Sequence, residues 1–502
     1  MGDGNQEVVE RAVVEKTASK GIVRRDFLKG ATIGVVGMGA LPALFGCSNG
    51  REKAVADDSS TDAMAGGHLS ELTGWTSTPD KIAALGGSTM PLAELNKRRR
   101  EYLDAQSDYT CADGTVIPAV FVRVRALVHT YGMGCGSTPA DNSFEGIMGK
   151  FSKEDAQAFI DMPMGEKFTA IDLYEKTGRP LQECVEVCER IAEAGYLCRF
   201  TNNNGVTYHQ VPFFQGVLEY HLSDYLADPN YNIGLSGSDS NDDTLSTGTP
   251  TFYVIPCDKS VVADGIVPPF DDVESLFKGK GTIAIAPCFC RLQALAMGGV
   301  EDCPTLEDFA TGEFEDYFSP LHDLRVETCL MMGDEAEFWI HKGYARKITE
   351  EEALAFMQRS RDDGFILESC FSKDSGTICS CHSKCCGVIG LWQALGSPAE
   401  IGAAKPFDRI SNFTLEVDLA SCLKCGKCAD RCPVSAISMS KEMGAPVVNE
   451  MCFKCGQCAY VCPQKIRKLV MRPEEEILEL PRDFLDDANM KAGYRFEHGL
   501  IL

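Results

Sequence analysis

Apolar residues recur at helical spacing from residue 92 onward. Leu92, Leu95, Tyr102 and Leu103 make one stripe, and Lys97, Arg98, Arg99 and Arg100 fall beside it as a solvated face. This pattern makes 91–160 a helical segment. Ser152 with Asp155 three residues on signals a helix start, and that helix ends near Met162. The pattern then predicts a helix over 169–177, a turn at Gly178-Arg179-Pro180 and a helix over 181–194 closed by Gly195. A hairpin over 196–211 follows, turning at 202–205. After a loose stretch over 233–250 the period changes. Residues 252–255 and 282–286 read as strands by their β-branched content, with a short helix over 271–277 between them. Thr349 and Glu352 cap a helix that runs to about Asp363 and stops at Gly364. These elements give an α+β, multidomain chain.

Length and charge narrow the classes. At 502 residues the chain has room for several domains, and its net charge is −25, from 48 basic and 73 acidic residues. That balance repels nucleic acid and suits a basic redox partner. The segment 161–225 resembles a winged helix-turn-helix, a family associated with DNA. Its would-be recognition helix carries Glu183, Glu186, Glu189 and Glu193 against Arg190, so phosphates would be repelled. The module reads as a packing or docking unit, with no nucleic-acid partner.

The chain has 24 cysteines, and eight of them form a repeated run. Cys422, Cys425, Cys428 and Cys432-Pro433 follow the spacing C-x2-C-x2-C-x3-C-P. Cys452, Cys455, Cys458 and Cys462-Pro463 repeat it. Zinc sites draw on two separated pairs, whereas here three close thiols plus a fourth recur twice. Three cysteines two residues apart wrap three iron corners of a cubane, and the fourth serves the other cluster. Cluster one is therefore assigned Cys422, Cys425, Cys428 and Cys462. Cluster two is assigned Cys452, Cys455, Cys458 and Cys432. Residues 411–472 resemble a bacterial two-cluster ferredoxin domain, which implies two [4Fe-4S] clusters and electron transfer. Residues 473–502 read as a C-terminal tail.

The N-terminus reads as an address. Arg24-Arg25-Asp26-Phe27-Leu28-Lys29 precedes a glycine-rich apolar run over 31–45, which is too short to span a bilayer. Residues 1–47 resemble a twin-arginine export signal, with Val23 where Ser or Thr is usual. That resemblance implies export to the periplasm or the outer face of the cytoplasmic membrane. Leu44-Phe45-Gly46-Cys47 resembles a lipoprotein processing site with a bulky Phe45, so a lipid anchor at Cys47 and simple cleavage both stand. Residues 48–90 read as a flexible linker.

A second set of cysteines lies in 226–410, read as a Cys-rich α/β domain. Cys288 and Cys290 follow the strand at 282–286. Cys303, Cys329 and Cys370 come next, and Cys379, Cys381, Cys385 and Cys386 lie in what reads as a polar loop with His382. A third metal or iron–sulfur centre is expected from Cys288, Cys290, Cys329, Cys379, Cys381 and Cys385 or a subset, with His382 as a further candidate. The alternative is a set of buried small apolar residues. The order of parts is A-P-C-x-C-R, E-T-C-L, a link at 343–348, the E-E-A-L helix, I-C-x-C-x3-C-C and the ferredoxin domain. Over 160–475 this order is similar to bacterial four-iron–four-sulfur binding proteins of the ferredoxin type.

The first functional expectation is an exported electron carrier with a redox partner protein, a reductase or a quinol-linked membrane complex. The second is a terminal reductase, distantly like the reductive dehalogenases. The glycines Gly34, Gly37 and Gly39 lie in the leader, not after a strand, so they make no nucleotide loop. No C-x-x-C-H haem attachment occurs.

Overall fold

The computed structural model describes residues 88–501, except 137, 203–204, 228–230, 232, 236–248, 266, 268–270, 278, 297–326, 388, 391–409 and 474–479. The segment read as an export leader, Cys47, Cys303 and nearly all of the stretch read as a linker lie outside the described residues.

The N-terminal part is helical. α1 spans Leu92–Asp104, α2 Ala119–His129 and α3 Lys153–Asp161, the last capped by Ser152, whose side chain accepts from the Asp155 N–H. α4 spans Ala170–Thr177 and α5 Leu181–Glu193. β1 spans Leu197–Asn202 and pairs antiparallel with β2, Gly205–Gln210. Thr169 and Asp172 form a capping box at α4, and Gly178 ends it in the left-handed conformation. Two acidic side chains of α5 bond to neighbouring elements of the protein. Glu189 accepts from Arg199 Nε at 2.9 Å, and Glu193 faces Lys342 at 3.5 Å.

One basic residue of α1 departs from the solvated face expected for it. Arg99 is fully buried, stacked 4.3 Å over the Tyr131 ring and hydrogen-bonded to Asn96 and Asn489. Asn489 belongs to the C-terminal helix, so a segment read as a tail supplies the burial.

The middle domain is built on one six-stranded sheet. β3 is Phe252–Ile255, β4 Ile283–Pro287, β5 Glu327–Met332, β6 Arg346–Ile348, β7 Ile366–Cys370 and β8 Thr377–Cys381. Their spatial order is β3-β7-β8-β5-β4-β6, and every pairing is antiparallel. This corrects the α/β reading of the domain, because parallel strands need crossover connections and these pairs do not. It also corrects two local readings. Residues 377–381 are a central strand and not a polar loop, and the link at 343–348 carries the edge strand β6.

Alternation along these strands sorts the sheet into two unlike faces. Tyr253, Ile255, Ile283, Ile285, Leu330, Met332, Leu367 and Ile378 pack on one face with Ala353 and Met357 of α8, Glu350–Asp363. The opposite face carries Ala284, Ala286, Cys329, Met331, Cys379 and Cys381. Two helices follow strands directly: α6, Phe289–Ala296, after β4, and α7, Gly333–His341, after β5.

The C-terminal domain pairs β9, Phe413–Val417, with β12, Arg467–Met471, and β10, Ile437–Met439, with β11, Pro446–Val448. Short helices α9, Lys427–Asp430, and α10, Gln457–Tyr460, follow the two cysteine loops. The domain is fastened to the sheet. The Cys257 N–H donates to Cys455 O at 2.9 Å, and Gln457 Nε2 donates to Phe365 O at 2.7 Å. Beyond it, α11, Phe484–Glu497, packs back onto α1, and Arg495 Nη1 donates to His129 O at 2.6 Å.

Candidate metal centres

The two cysteine runs fold into near copies offset by thirty residues. Lys424 and Gly426 have positive φ values of 56° and 80°, and Lys454 and Gly456 have 54° and 84°. Left-handed residues at these points curl each loop so that its backbone N–H groups turn inward. The Lys424 N–H donates to Cys422 Sγ at 3.3 Å, and the Ala436 N–H donates to Cys432 Sγ at 3.2 Å.

Cys422, Cys425, Cys428 and Cys462 line one small cavity. Cys432, Cys452, Cys455 and Cys458 line another. The fourth thiol of each run thus stands at the opposite run's cavity. The donor sets fit anionic cubanes, and so does Arg467, which lines the first cavity. Its Nη1 and Nη2 are buried with no hydrogen-bond partner among the described residues. A cluster with four thiolates would give that guanidinium its acceptors.

The two loops differ in exposure. Cys425 is exposed and Leu423 is 61% exposed, so the first loop faces outward. The second loop is covered by the middle domain. A Cβ added at Gly456 would come within 2.8 Å of Val261 Cγ2, whereas one at Gly426 would meet nothing within 4 Å.

Residues 412–466 match the 4Fe-4S dicluster domain family. The C-terminal domain is therefore of the iron–sulfur ferredoxin type, within a larger chain of mixed helices and sheets. No curated protein and no solved structure matches the chain.

The middle cysteines gather into a ring. Cys288, Cys290, Cys329, Cys379, Cys381 and Cys386 line one cavity, and each thiol is close enough to its neighbours in the ring to shift their ionisation. Cys329 and Cys379 stand opposite each other on β5 and β8, with their sulfurs 4.0 Å apart. Four thiolates around a tetrahedral Zn²⁺ at ~2.3 Å would lie about 3.8 Å apart, so this spacing suits a soft metal. None of the described cysteines forms a disulfide.

Five of the six expected residues are in the ring. The sixth place belongs to Cys386. Cys385 is buried and does not line the adjoining cavity. Glu368 joins the set, since a carboxylate oxygen of Glu368 and the sulfurs of Cys381 and Cys386 lie within 4.8 Å of one another. His382 takes another role: its Nδ1 accepts the Lys384 N–H at 3.2 Å, and burial lowers its pKa to about 4.

The ring thiols perturb one another in opposite directions. Hydrogen bonds from Cys290 and Cys329 hold Cys288 well below the usual thiol range, against its burial, and the nearby Arg291 guanidinium adds to the effect. The Cys290, Cys329, Cys379, Cys381 and Cys386 thiols are pushed up. Arg291 is itself buried and donates Nη2 to Ser380 O at 2.8 Å.

The ring and the second cluster site share one hydrophobic cluster. Cys381 and Cys386 pack there with Val434, Ala436, Phe453 and Cys455, and Cys432 and Cys452 lie against it. Beside the ring opens a cavity of about 380 Å³, walled by the ring itself, Phe214, Phe252, Phe289, Trp339 and the carboxyls of Glu219 and Glu335. The sequence pattern did not single out Glu219, Glu335, Glu368 or Arg467. One signal was available for the ring: reading 377–381 as a strand puts Cys379 and Cys381 on one face.

Proposed function

We propose that this chain is an exported iron–sulfur redox protein. Electrons arrive at the exposed cluster of Cys422, Cys425, Cys428 and Cys462. They pass to the cluster of Cys432, Cys452, Cys455 and Cys458, and then to a third, thiolate-bound centre on the Cys288–Cys386 ring. The observation that carries this reading is the core shared by Cys381 and Cys386 with Cys432, Cys452 and Cys455. Six soft sulfurs with no imidazole among them suit iron–sulfur or d¹⁰ metal chemistry. Six free thiols in contact would oxidise readily outside the cell, and metal ligation removes that liability.

Metal, sulfide and EPR analysis of the anaerobically isolated protein tests this reading. Two cubanes account for about eight irons. Metal above that number is expected, and it should vanish in the Cys381→Ser/Cys386→Ser double variant while the ferredoxin signals stay. A protein with eight irons and no other metal would have no third centre.

Export rests on Arg24 and Arg25, and replacing both by Lys should retain the precursor in the cytoplasm with its clusters intact. Fatty-acid labelling at Cys47 would distinguish a lipid anchor from cleavage. The partner in this reading is a redox protein, a reductase or a quinol-linked membrane complex, and nucleic acid is excluded by the acidic balance. A second reading, a terminal reductase, is favoured by the cavity that the ring lines.

A further inference from the structure

The cavity beside the thiol ring has walls that select its occupant. Its volume of about 380 Å³ falls in the range of small-molecule sites. Phe214, Phe252, Phe289 and Trp339 give it flat aromatic walls, with Phe214 and Phe252 edge-to-face at 6.1 Å. Two carboxyls reach it from different elements. Glu219 lies in the short helix Leu218–Tyr220, and its Oε2 accepts the Gly216 N–H at 2.8 Å. Glu335 lies in the first turn of α7, and its Oε1 accepts from Tyr220 Oη at 2.8 Å and Trp339 Nε1 at 2.7 Å. Both are partly buried and line the cavity.

Burial raises both carboxyls, Glu219 to about 7, and the Glu335 charge opposes ionisation of Glu219. The lysines that line the cavity are already paired. Lys167 meets Asp334 at 3.2 Å, and Lys280 is bonded to Asp374. An anion would therefore find no unpaired cation among these groups. A carboxyl held neutral, as burial favours for Glu219, would donate its O–H to a ligand's carbonyl oxygen.

We propose that this cavity binds a small quinone, an uncharged conjugated dicarbonyl ring, and reduces it by two electrons and two protons. The proposal rests on the electron-carrier reading above. The clusters that the eight ferredoxin cysteines would hold would supply one electron each on returning to their oxidised state. Glu219 and Glu335 each release one proton. The two C=O groups become two C–O–H groups, and the carboxylates regain protons from water. A low-potential one-electron donor protein re-reduces the clusters. The ring lies between the second cluster site and the cavity, so the electrons arrive where the protons are held.

The experiment uses the anaerobically isolated holoprotein and tetramethyl-1,4-benzoquinone, whose fully substituted ring resists addition of thiols. Equilibrium dialysis against the oxidised protein measures binding. Mixing the quinone with dithionite-reduced, desalted protein measures loss of the cluster EPR signal and gain of quinol. Saturable one-to-one binding is expected, with one quinol formed for every two electrons lost. Glu219→Gln and Glu335→Gln should keep binding within about threefold and slow the reaction at least about tenfold, as for loss of a general acid. Absence of saturable binding by a protein with normal cluster signals would overturn the quinone site and leave the electron-carrier reading standing. Unchanged rates in both variants would place the reaction at the exposed cluster and also overturn it. Tighter binding of trimethylphenylammonium than of the quinone would overturn the uncharged occupant. Absence of the cluster signals themselves would instead remove the electron-carrier reading.

Discussion

Ser383 donates its hydroxyl to the carbonyl oxygen of Pro433. Ser383 sits in the turn between Cys381 and Cys386 of the thiol ring, and Pro433 follows Cys432 of the second cluster site. One hydrogen bond thus joins a side chain beside one candidate centre to the backbone of the other, next to the core they share. Donor and acceptor come from chain segments fifty residues apart, so the bond exists only because the ferredoxin domain docks on the sheet.

The crossed ligand sets make a directional prediction. Cys432→Ser should damage the cluster otherwise held by Cys452, Cys455 and Cys458 and spare the signal of the other. Cys462→Ser should do the reverse. EPR of the two reduced variants checks this, and damage confined to each residue's own run would mean the sets are uncrossed.

Cys385 and Cys386 are neighbours with different surroundings. Cys386→Ser should remove most of the metal held by the middle domain. Cys385→Ala should keep that metal and cost about 1 kcal/mol of stability for a buried sulfur. Metal analysis of both variants after identical anaerobic purification separates the two residues.

Arg467 is buried with both terminal nitrogens unpaired among the described residues, at the cavity of Cys422, Cys425, Cys428 and Cys462. A reduced cluster carries one more negative charge than an oxidised one, so this cation favours reduction. Arg467→Met should shift that cluster's potential downward by tens of millivolts or more, at about 30 mV per 0.7 kcal/mol for one electron. An anaerobic redox titration followed by EPR measures the shift, and an unchanged potential would place the guanidinium elsewhere.

Asp271 is 1% exposed beside Tyr253 and Asn412, where the sheet meets the ferredoxin domain. Burial pushes its carboxyl up to about 7. The folded protein thus holds this proton more tightly than the unfolded chain. The associated stability is complete below the ordinary carboxylate range and is lost as the pH rises through about 7. Asp271→Asn carries no such titration, so its stability relative to wild type should grow by up to about 3–4 kcal/mol between pH 4 and pH 8. Urea midpoints across that range check the sign.

Gly426 and Gly456 share a left-handed φ but not their surroundings. Either Gly→Ala change costs about 1–2 kcal/mol of backbone strain. Gly456→Ala also presses a methyl onto Val261 and Leu469, which adds about 1–3 kcal/mol. Thermal unfolding of the holoprotein should rank Gly456→Ala below Gly426→Ala, and equal midpoints would show that the interface yields freely.

The ferredoxin motif was legible in the sequence because its ligands lie within a few residues of one another. Loop spacing and two prolines carry most of that information. The helix caps at Ser152 and Thr349 were legible for the same reason, since each is closed by a group three residues away. The thiol ring is different. Its members come from β5, β8, the segment after β4 and the turn after β8, and antiparallel register alone sets Cys329 opposite Cys379. Sequence spacing could not choose between Cys385 and Cys386, because a tight turn decides which sulfur swings inward. Arg99 and the helix Phe484–Glu497 make the same point: a basic stripe and a tail read as solvated until each is seen to bury the other. Local chemistry therefore determined the ferredoxin ligands. Long-range strand pairing and domain docking decided the ring, the cavity and their place beside the second cluster site.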